Sequence, residues 1–499
     1  MGVVDQHEQT NGAGASRRIS VAIVGAGISG LTIAQKCADQ GVAFTIYEKA
    51  ASLGGTWRDN IYPGIAVDSG GGTYNLAFWP KYDWKSHFPS GEEIRRYLED
   101  AATRFNIRPF IEFGKELVTA RWIDGVWQLS FSDGTDERAD VLVMATGFLR
   151  IPVLPTTEGR GSFRGPEFHS SQWPRGLSVE GKRVGVIGMG STAIQITTAI
   201  QKESGCRVVQ FVRNPQWVMT TKNPSTPWLV RGFLRAWPTA GEWLFQRRLS
   251  RFRNSARTGA MGDWRRYPGT GRDTAFREFS DDLDQVKDAE LRKRLTPTDA
   301  PGCKRIPFAP GYYDAVQKEN FTFVRDVISR ITPQGIETGS GDVYELDILV
   351  YATGFEAHSY FSPVEIFGTD QSQSLSDSWK DGLFSYRNIM VPGYPNLFIL
   401  HGPYAPINTI VASQSVADQA AYISKVIDHL GRTNEAIAPT TMATENYLKW
   451  VRSSLQGTIY LTCQSWYRGT DGWPIVWPFG REEHQAMYSQ VDNDDMASY

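Results

Sequence analysis

The pattern of hydrophobic and polar positions repeats once along the chain. In each copy, a short apolar run leads into a Gly-rich turn, a helix with one apolar face and a second apolar run. The runs are Ile19–Val24 and Ala43–Tyr47 in the first copy, and Arg183–Ile187 and Val208–Val212 in the second. The helix faces carry Leu31, Ile33, Ala34 and Cys37, and then Ile194, Ile196 and Ile200. Such runs are typical of buried parallel strands, so the sequence predicts an α/β protein with two similar units.

Further periodic segments surround these two units. Glu92–Phe105 is predicted to be a helix, because its apolar positions share one face. Leu117–Ser132 has strand character, and the alternation within Val126–Phe131 predicts a small antiparallel hairpin. Asp140–Met144 and Asp347–Tyr351 are predicted strands that are each followed by the letters ATGF. We expect the chain to cross from the first unit to the second, and back, at these two points.

The stretch from Asn223 to Pro301 has a different pattern. Arg, Trp and helix-forming residues dominate, and no strand pattern occurs. We interpret residues 223–301 as a helical insertion that covers the substrate pocket. Residues 228–249 are aromatic, but Arg231, Pro238 and Glu242 interrupt them, which favours a helical cap over a membrane anchor.

Composition narrows the classes of protein. A chain of 499 residues has material for about two to four domains. The net charge of −2 gives no indication of nucleic acid or an acidic membrane surface as a partner. The 4 cysteines show no C-x-x-C spacing, which argues against a disulfide scaffold, a thiol redox pair or a metal site. That usage suits a reducing compartment, and we expect a cytoplasmic protein.

The start of the chain has no predicted structure. Residues 1–17 are polar and small, and we interpret them as a disordered tail without the apolar core of a signal peptide. The sequence contains no run of about 18 apolar residues that predicts a membrane-spanning helix.

The first Gly-rich turn predicts a dinucleotide site. Residues Gly25–Gly30 read GAGISG between a strand and a helix, and Glu48 ends the next strand. Glycines allow close approach of a pyrophosphate to the helix N-terminus, and an acid at this strand end can accept a hydrogen bond from a ribose hydroxyl. The acid disfavours a 2′-phosphate, which leaves FAD or NAD. The second glycine pair in Gly54–Trp57 favours FAD.

The second Gly-rich turn differs at one informative position. Residues Gly188–Ala193 read GMGSTA, and the strand after the following helix leads to Arg213 instead of an acid. A guanidinium can pair bidentately with a 2′-phosphate, so we assign NADPH to this unit. An unrelated surface arginine is the alternative interpretation.

Two longer motifs carry a resemblance to a known family. Gly54–Asp68 fits G-G-x-W-x-x-x-x-Y-P-G-x-x-x-D, and Phe163–Pro174 fits F-x-G-x-x-x-H-x-x-x-W-P in a stretch that otherwise looks like a linker. Together they resemble the type I Baeyer–Villiger monooxygenases, within the class B flavin-dependent monooxygenases. The likeness extends from about Ile19 to the Trp466 region.

The resemblance implies an architecture of two Rossmann-like dinucleotide-binding domains with a helical insertion. The FAD-binding domain is expected to be discontinuous, over residues 18–160 and 345–499. The NADP-binding domain is expected over residues 161–344, including the insertion.

The resemblance also implies the residues of the site. Arg305 is the expected catalytic arginine, Asp68 its carboxylate partner, and His169 with Trp173 a hinge that links NADP position to the state of the flavin. The turn pattern and the resemblance together place FAD at Gly25, Gly27, Ser29, Gly30, Glu48, Gly55, Thr56, Trp57, Asp68, Tyr74, Val118 and Thr409. They place NADP at Gly188, Gly190, Ser191, Thr192, Ala193, Arg213, Lys304 and Trp466.

The implied reaction inserts one oxygen atom of O2 beside a ketone carbonyl, through a C4a-peroxyflavin, to give an ester or lactone. An N- or S-oxygenating flavin monooxygenase and a non-catalytic NADP-sensing flavoprotein are the alternatives. The expected partners are a small-molecule ketone and O2, with no nucleic acid and no membrane, in a monomer or weak homo-oligomer. Gly70–Gly72 and Ala309 depart from residues common in the family, which leaves the ketone open.

Overall fold

The computed structural model describes residues 19–247, 277, 279–406, 410–463 and 465–499. The predicted tail at residues 1–17 and most of residues 248–278 therefore lie outside the described residues. Within the described part, two five-stranded parallel sheets form the centre of the molecule.

The first sheet contains the first dinucleotide pattern. Its strands, in spatial order, are Leu397–Ile399, Val141–Met144, Ser20–Val24, Ala43–Glu48 and Ile111–Phe113. All its neighbouring strands are parallel, and Ser20–Val24 is almost fully buried because helices cover the sheet. The edge strand Leu397–Ile399 comes from much later in the chain than the other four.

The second sheet contains the second pattern. Its strands, in spatial order, are Phe321–Val324, Arg207–Phe211, Arg183–Ile187, Ile348–Tyr351 and Glu167–His169. All four pairings are parallel. The last strand corrects the interpretation of Phe163–Pro174 as a linker. Glu167–His169, in the middle of this motif, pair with Leu349–Tyr351. Just before them, a Cβ on Gly165 would lie 2.4 Å from the carbonyl of Asp347.

Smaller sheets lie beside these two. An antiparallel meander is formed by Leu117–Ile123, Val126–Phe131 and Asp136–Ala139, which confirms the predicted hairpin. Glu365–Phe367 adds a parallel strand at its edge. The other strands pair as an antiparallel trio and an antiparallel couple. They are Ile328–Thr332, Gly335–Thr338 and Val343–Glu345, and Ile437–Pro439 with Met496–Ser498.

The helices cover the sheets. The α-helices are Ile28–Asp39, Thr56–Asp59, Gly91–Arg104, Ser191–Ile200, Trp228–Ala236, Ala289–Leu295, Tyr312–Val316, Leu375–Ser378, Ala412–Thr433, Thr441–Leu455 and Arg481–Met487. Short 3₁₀ turns occupy Arg108–Phe110, Ser170–Gln172, Ile459–Leu461 and Asn493–Asp495. Residues 238–247 are also helical, so the described parts of residues 223–301 fit the predicted helical character. None of the helices in these ranges is both long and apolar enough to cross a lipid bilayer.

Candidate active site

A large cavity of about 1040 Å³ lies between the two parallel sheets. Its walls include the first Gly-rich turn, the loop around Asp68, the start of the second Gly-rich helix and the segment around Arg305. The carboxyl ends of parallel strands are where α/β proteins bind ligands, and both turns follow such ends. Many of the site residues predicted from separate parts of the chain therefore face one common space.

The first turn is shaped for close approach. Gly25 has a φ of +110°, and a Cβ there would lie 2.7 Å from the carbonyl of Ala145. A Cβ on Gly30 would lie 1.9 Å from the carbonyl of Gly25, so the helix packs against the turn with no room for a side chain. Gly27 precedes the helix without a side-chain cap. The first amides of the helix are thus left to an anion such as a pyrophosphate.

Glu48 holds this turn from the neighbouring strand. Its Oε2 accepts a hydrogen bond of 2.9 Å from the amide of Ala26, and its Oε1 accepts one of 2.8 Å from Arg58. The carboxylate is buried and lines the cavity. Its position at the end of Ala43–Glu48 suits a hydrogen bond to a ribose hydroxyl, as the sequence predicted.

Most of the predicted FAD residues line the cavity. These are Gly25, Gly27, Ser29, Glu48, Gly55, Thr56, Trp57, Asp68 and Tyr74. Gly30 lies just behind the turn. The side chain of Val118 is an exception, since it is 46% exposed on a strand whose alternation points Leu117 into the cavity instead. Thr409 lies outside the described residues.

The second turn approaches the same cavity from the opposite side. Gly188 has a φ of +129°, and a Cβ there would lie 2.4 Å from the carbonyl of Ala352. A Cβ added to Gly190 would have no other atom within 4 Å, so the space beside this residue is open. Ser191 starts the helix and lines the cavity, whereas Gly188, Gly190, Thr192 and Ala193 do not line it, and Ala193 is fully buried in the core of the second unit. Arg213 is exposed at the end of the next strand.

Arg305 and Asp68 meet inside the cavity. Arg305 Nη2 donates a hydrogen bond of 2.6 Å to Asp68 Oδ1, and Nε donates one of 3.2 Å to Oδ2. The negative charge of Asp68 raises the pKa of Arg305 further above its usual value, so the guanidinium stays charged at every working pH. Ser191 Oγ lies 3.4 Å from Asp68 Oδ2, which brings the second turn to the same carboxylate.

Tyr74 lies beside this ion pair. Its hydroxyl accepts a hydrogen bond of 3.1 Å from Trp57 Nε1, and the two rings meet edge to face. Burial raises the pKa of Tyr74 to about 12, so the phenol stays neutral. It can therefore donate a proton in a hydrogen bond within the cavity.

The hydrogen bonds of His169 fit a neutral imidazole. Nδ1 accepts a hydrogen bond from the amide of Ser171 at 3.2 Å, and Nε2 lies 3.0 Å from the carbonyl of Gly354, to which it donates. Burial lowers the pKa of His169. The contact joins the Phe163–Pro174 motif to the second ATGF turn, where the chain crosses back. His169 itself lies behind the cavity wall, and Ser171 is the neighbour that lines it.

Lys304 and Trp466 complete the predicted set. Both line the cavity. Lys304 forms an ion pair of 3.0 Å with Asp299, and the indole of Trp466 is 37% exposed. Both predicted NADP residues therefore face the same cavity as the Arg305–Asp68 pair.

Gln195 is a contact that sequence reasoning missed. Its Nε2 donates to the carbonyl of Ala66 at 2.9 Å, and its Oε1 accepts from Tyr62 at 3.0 Å. A Cβ on Gly64, where φ is +83°, would lie 2.5 Å from the Gln195 carbonyl. The Tyr-Pro-Gly segment of the long motif thus packs directly against the second dinucleotide helix. Gly64 in the motif was a signal that another backbone approaches this position closely. The sequence did not show which segment that is, because the helix lies far away in the chain.

A disulfide was also not foreseen. Cys303 and Cys463 are joined by a disulfide, with their Cα atoms 5.4 Å apart and a separation of 160 positions in sequence. The absence of C-x-x-C spacing was the argument against paired cysteines, but that absence does not exclude a pair that is distant in sequence. Cys37 and Cys206 remain free and buried.

Comparison with known proteins identifies the family. Residues 18–235 match the model of the flavin-binding monooxygenase-like family. The chain is 31% identical to a Baeyer–Villiger monooxygenase of Streptomyces coelicolor, over 98% of this chain and 93% of that protein. The chain belongs to the Baeyer–Villiger monooxygenase family. This family member is also 30% identical to an acetone monooxygenase (methyl acetate-forming) of a Gordonia species, over 91% of this chain and 92% of that one.

Solved structures of Baeyer–Villiger enzymes have the same fold. A closed structure of cyclohexanone monooxygenase superposes with a TM-score of 0.83 at 26% identity, covering 96% of this chain and 99% of that one. The complex of OTEMO with FAD and NADP superposes with a TM-score of 0.84 at 25% identity, covering 97% and 100%. This Baeyer–Villiger monooxygenase family member therefore shares its two-sheet architecture with a protein solved in complex with both FAD and NADP.

Proposed function

We propose that this FAD- and NADPH-dependent monooxygenase converts a small-molecule ketone and O2 into an ester or lactone at the Arg305–Asp68 pair. The observation that carries the proposal is the placement of this ion pair in the cavity that both dinucleotide turns face. The names of the similar proteins, which include an acetone and a cyclohexanone monooxygenase, favour a ketone over an N- or S-oxygenated substrate.

The residues present fit FAD. A Cβ added to Gly27 would have only Gly55 Cα within 4 Å. The space beside Gly27 is therefore open enough for a pyrophosphate. Glu48 would hold the ribose, and the cavity continues from there past Trp57 to Asp68, where the isoalloxazine would end. When bound and reduced, FAD would supply the electrons that activate O2.

The residues present also fit NADPH. Gly190 leaves open space at the start of a ten-residue helix, Ser191–Ile200, whose first amides suit a diphosphate. Arg213 would take the 2′-phosphate with Lys304, and Trp466 would cover the nicotinamide side. Arg213 stands at the strand end with its side chain exposed, ready for a phosphate.

Arg305 performs the electrostatic work of the reaction. Its permanent positive charge keeps the activated oxygen atom negatively charged, and an oxygen atom in that form attacks a carbonyl carbon. The same charge stabilises the negative charge that then develops on the carbonyl oxygen of the ketone. Asp68 fixes the direction of the guanidinium through two hydrogen bonds. Tyr74, neutral and buried beside them, is placed to donate a hydrogen bond to the same charge.

Several features complete the proposal. We infer the discontinuous FAD-binding domain and the inserted NADP-binding domain at the predicted boundaries, with His169 and Trp173 at the hinge between them. The hydrogen bond from His169 to Gly354 at the crossing supports this. We also propose a cytoplasmic location, because the reductant of the enzyme, NADPH, is an intracellular metabolite. We propose a monomer or weak homo-oligomer as its state in solution.

The test separates reduction from oxygen transfer. The FAD-loaded enzyme is mixed with NADPH without oxygen, and the flavin absorbance is followed. Air and a panel of linear, cyclic and aryl ketones are then added, and esters are identified by mass spectrometry. We expect fast reduction and an ester from at least one ketone class. Reduction without ester from any ketone, together with oxidation of an amine or sulfide panel, would contradict the proposal.

A further inference from the structure

The disulfide between Cys303 and Cys463 joins two segments of the active site. Cys303 lies directly before Lys304 and Arg305, and Cys463 lies shortly before Trp466. Both cysteines are buried, at 4% and 2% exposure. The bridge therefore fixes the distance between the segment that carries the active-site guanidinium and the loop that carries the exposed indole.

Each segment is held to its own surroundings by other contacts. On the Cys303 side, Lys304 pairs with Asp299, and the Asp299 carbonyl accepts a hydrogen bond of 2.7 Å from Trp217. On the Cys463 side, the amide of Ile475 donates to the carbonyl of Tyr467 at 2.6 Å. The disulfide adds a covalent connection between these two sets of contacts.

The bridge is also connected to the catalytic pair through Tyr467. Tyr467 is fully buried in the loop after Cys463 and lies close enough to Arg305 to act on its charge. Trp466, next to it, lines the cavity. A loop that is free to move would displace both aromatic side chains relative to Arg305.

We propose that Cys303–Cys463 is a reversible thiol–disulfide site that sets the position of the Trp466 loop over the Arg305 end of the cavity. Disulfides in cytoplasmic proteins are uncommon, and those that occur are usually catalytic or redox-sensing. A tether between the active-site arginine segment and the cavity-covering loop has the location that a redox sensor of this enzyme requires. The redox role rests on the proposed cytoplasmic location, and the consequence for NADP binding rests on the proposed function; the tether itself rests on neither.

The chemistry of the site balances with two common classes of reagent. A dithiol reduces it: one reductant thiolate attacks a cysteine sulfur and displaces the other as a thiolate, which takes up a proton. The second reductant thiol then closes its own disulfide and releases the remaining cysteine thiol. Hydrogen peroxide reverses this. One cysteine thiol ionises, and its thiolate breaks the O–O bond to give a sulfenic acid and hydroxide, which takes up the released proton and becomes water; the second thiol then condenses with the sulfenic acid to give the disulfide and a second water.

The enzyme can supply that oxidant. When a flavin monooxygenase oxidises NADPH without inserting oxygen, NADPH, a proton and O2 give NADP⁺ and hydrogen peroxide. A reduced, untethered loop should raise this side reaction, because it shields the cavity less well. The peroxide would then restore the disulfide and with it the shielding loop. The fraction of NADPH that is oxidised without oxygen insertion would therefore fall again.

The first experiment is peptide mapping of the full-length, FAD-loaded enzyme, alkylated without prior reduction. We expect a linked Cys303–Cys463 peptide that disappears with dithiothreitol and returns with hydrogen peroxide. The second is NADP⁺ affinity, measured by quenching of tryptophan fluorescence. We expect a roughly 3- to 10-fold weaker Kd in reduced wild type, in Cys303→Ser and in Cys463→Ser, since the loop must then be ordered on binding.

Matched controls make the result specific. Cys206→Ser removes a buried free thiol near the second sheet and should keep the wild-type Kd and its response to dithiothreitol. In Cys463→Ser, the reductant should have no further effect. The proposal is overturned if no linked peptide forms in peroxide, or if reduction leaves the NADP⁺ affinity of wild type unchanged.

The readouts separate this proposal from the proposed function. Peptide mapping and NADP⁺ binding need no ketone, so failure to form an ester would contradict the function alone. If a serine variant does not fold, reduced and alkylated wild type gives the same comparison. Hydrogen peroxide released per NADPH oxidised is the third measurement, and we expect it to rise in the reduced enzyme and fall back after reoxidation.

Discussion

Arg305 reaches Asp68 across 237 positions of sequence, and the two side chains share two hydrogen bonds inside the cavity. The aspartate comes from the loop that follows the first dinucleotide unit, and the arginine comes from the segment that follows the helical insertion. Because each half of the pair belongs to a different part of the chain, the charge is positioned only when those parts are correctly packed. This dependence gives the sharpest test of the site.

Replacing Arg305 by Ala should separate reduction from oxygen transfer. The variant should keep anaerobic flavin reduction by NADPH, but ester formation should fall by about 10²–10³-fold, because one electrostatic donor to the developing charge is lost. Stopped-flow absorbance measures the first step and product analysis the second.

The matched control for this variant is Arg330→Ala. It also breaks an arginine–carboxylate pair, that of Arg330 with Glu337, but on an exposed hairpin. It should leave both steps unchanged. Loss of flavin reduction in Arg305→Ala would contradict the assigned role, since it would indicate damage to nucleotide binding.

Arg213→Ala should weaken NADPH selectively. The loss of a charge-assisted contact to the 2′-phosphate corresponds to a rise in KM for NADPH of about 10- to 100-fold, whereas KM for NADH should hardly change. Arg207→Ala, at the opposite end of the strand Arg207–Phe211, is the control for a general loss of positive charge. Equal effects on the two coenzymes would refute the phosphate assignment.

Two glycine variants should behave differently. Gly190→Ala places a Cβ in open space, so the melting temperature without nucleotide should stay within a few degrees of wild type. The same methyl group would stand where a diphosphate must approach the backbone, so NADP⁺ affinity should fall. Calorimetric unfolding and NADP⁺ titration give the two readouts.

Gly30→Ala is the contrasting variant. Its Cβ would lie 1.9 Å from the carbonyl of Gly25, so the helix must move away from the turn. We expect loss of bound FAD and a destabilisation of about 1–3 kcal/mol, typical of overpacking. A Gly30→Ala protein that retains FAD with wild-type stability would show that the turn has more freedom than the structure indicates.

Stability should fall in mild acid because of buried histidines. Burial lowers the pKa of His401 to about 4, and Nε2 of this residue has no hydrogen-bond partner among the described residues. In the unfolded chain, the imidazole titrates near ~6.5. Between these values the unfolded state binds more protons, so the free energy of unfolding decreases as the pH falls from about 6.5 to 4. The contribution of His401 is roughly 3 kcal/mol.

The measurement is urea unfolding of wild type and His401→Gln between pH 8 and pH 4. The variant should lose less stability over this range than the wild type does. Above about pH 7 both side chains are neutral, so the difference between the two proteins should be constant there and serves as the internal reference. Identical slopes for the two proteins would contradict the predicted contribution.

Local patterns in the sequence were enough to predict the two dinucleotide units. The strands around each Gly-rich turn lie within a residue or two of their predicted bounds, because buried parallel strands and tight turns both leave strong local signals. The placement of Asp68 beside Arg305 followed from the family resemblance alone, since nothing local connects two residues so far apart.

What the sequence did not reveal depends on contacts between distant segments. Glu167–His169 looked like a linker because a three-residue edge strand has too few positions for alternation to show. Val118 was predicted to bind FAD, and strand alternation turns its side chain to solvent, so the prediction now concerns its backbone only. The Cys303–Cys463 pair required the fold of the C-terminal loop, which no spacing rule supplies.

The late edge strand Leu397–Ile399 has a consequence for how the protein is made. Its partner, Val141–Met144, leaves the ribosome long before it, and the whole second sheet is synthesised between the two. Until residue 399 emerges, the first sheet has an unpaired apolar edge that newly made chains can use to associate wrongly. Chaperone protection during translation should therefore matter more for the first sheet than for the second, and flavin uptake should be a late event in biogenesis.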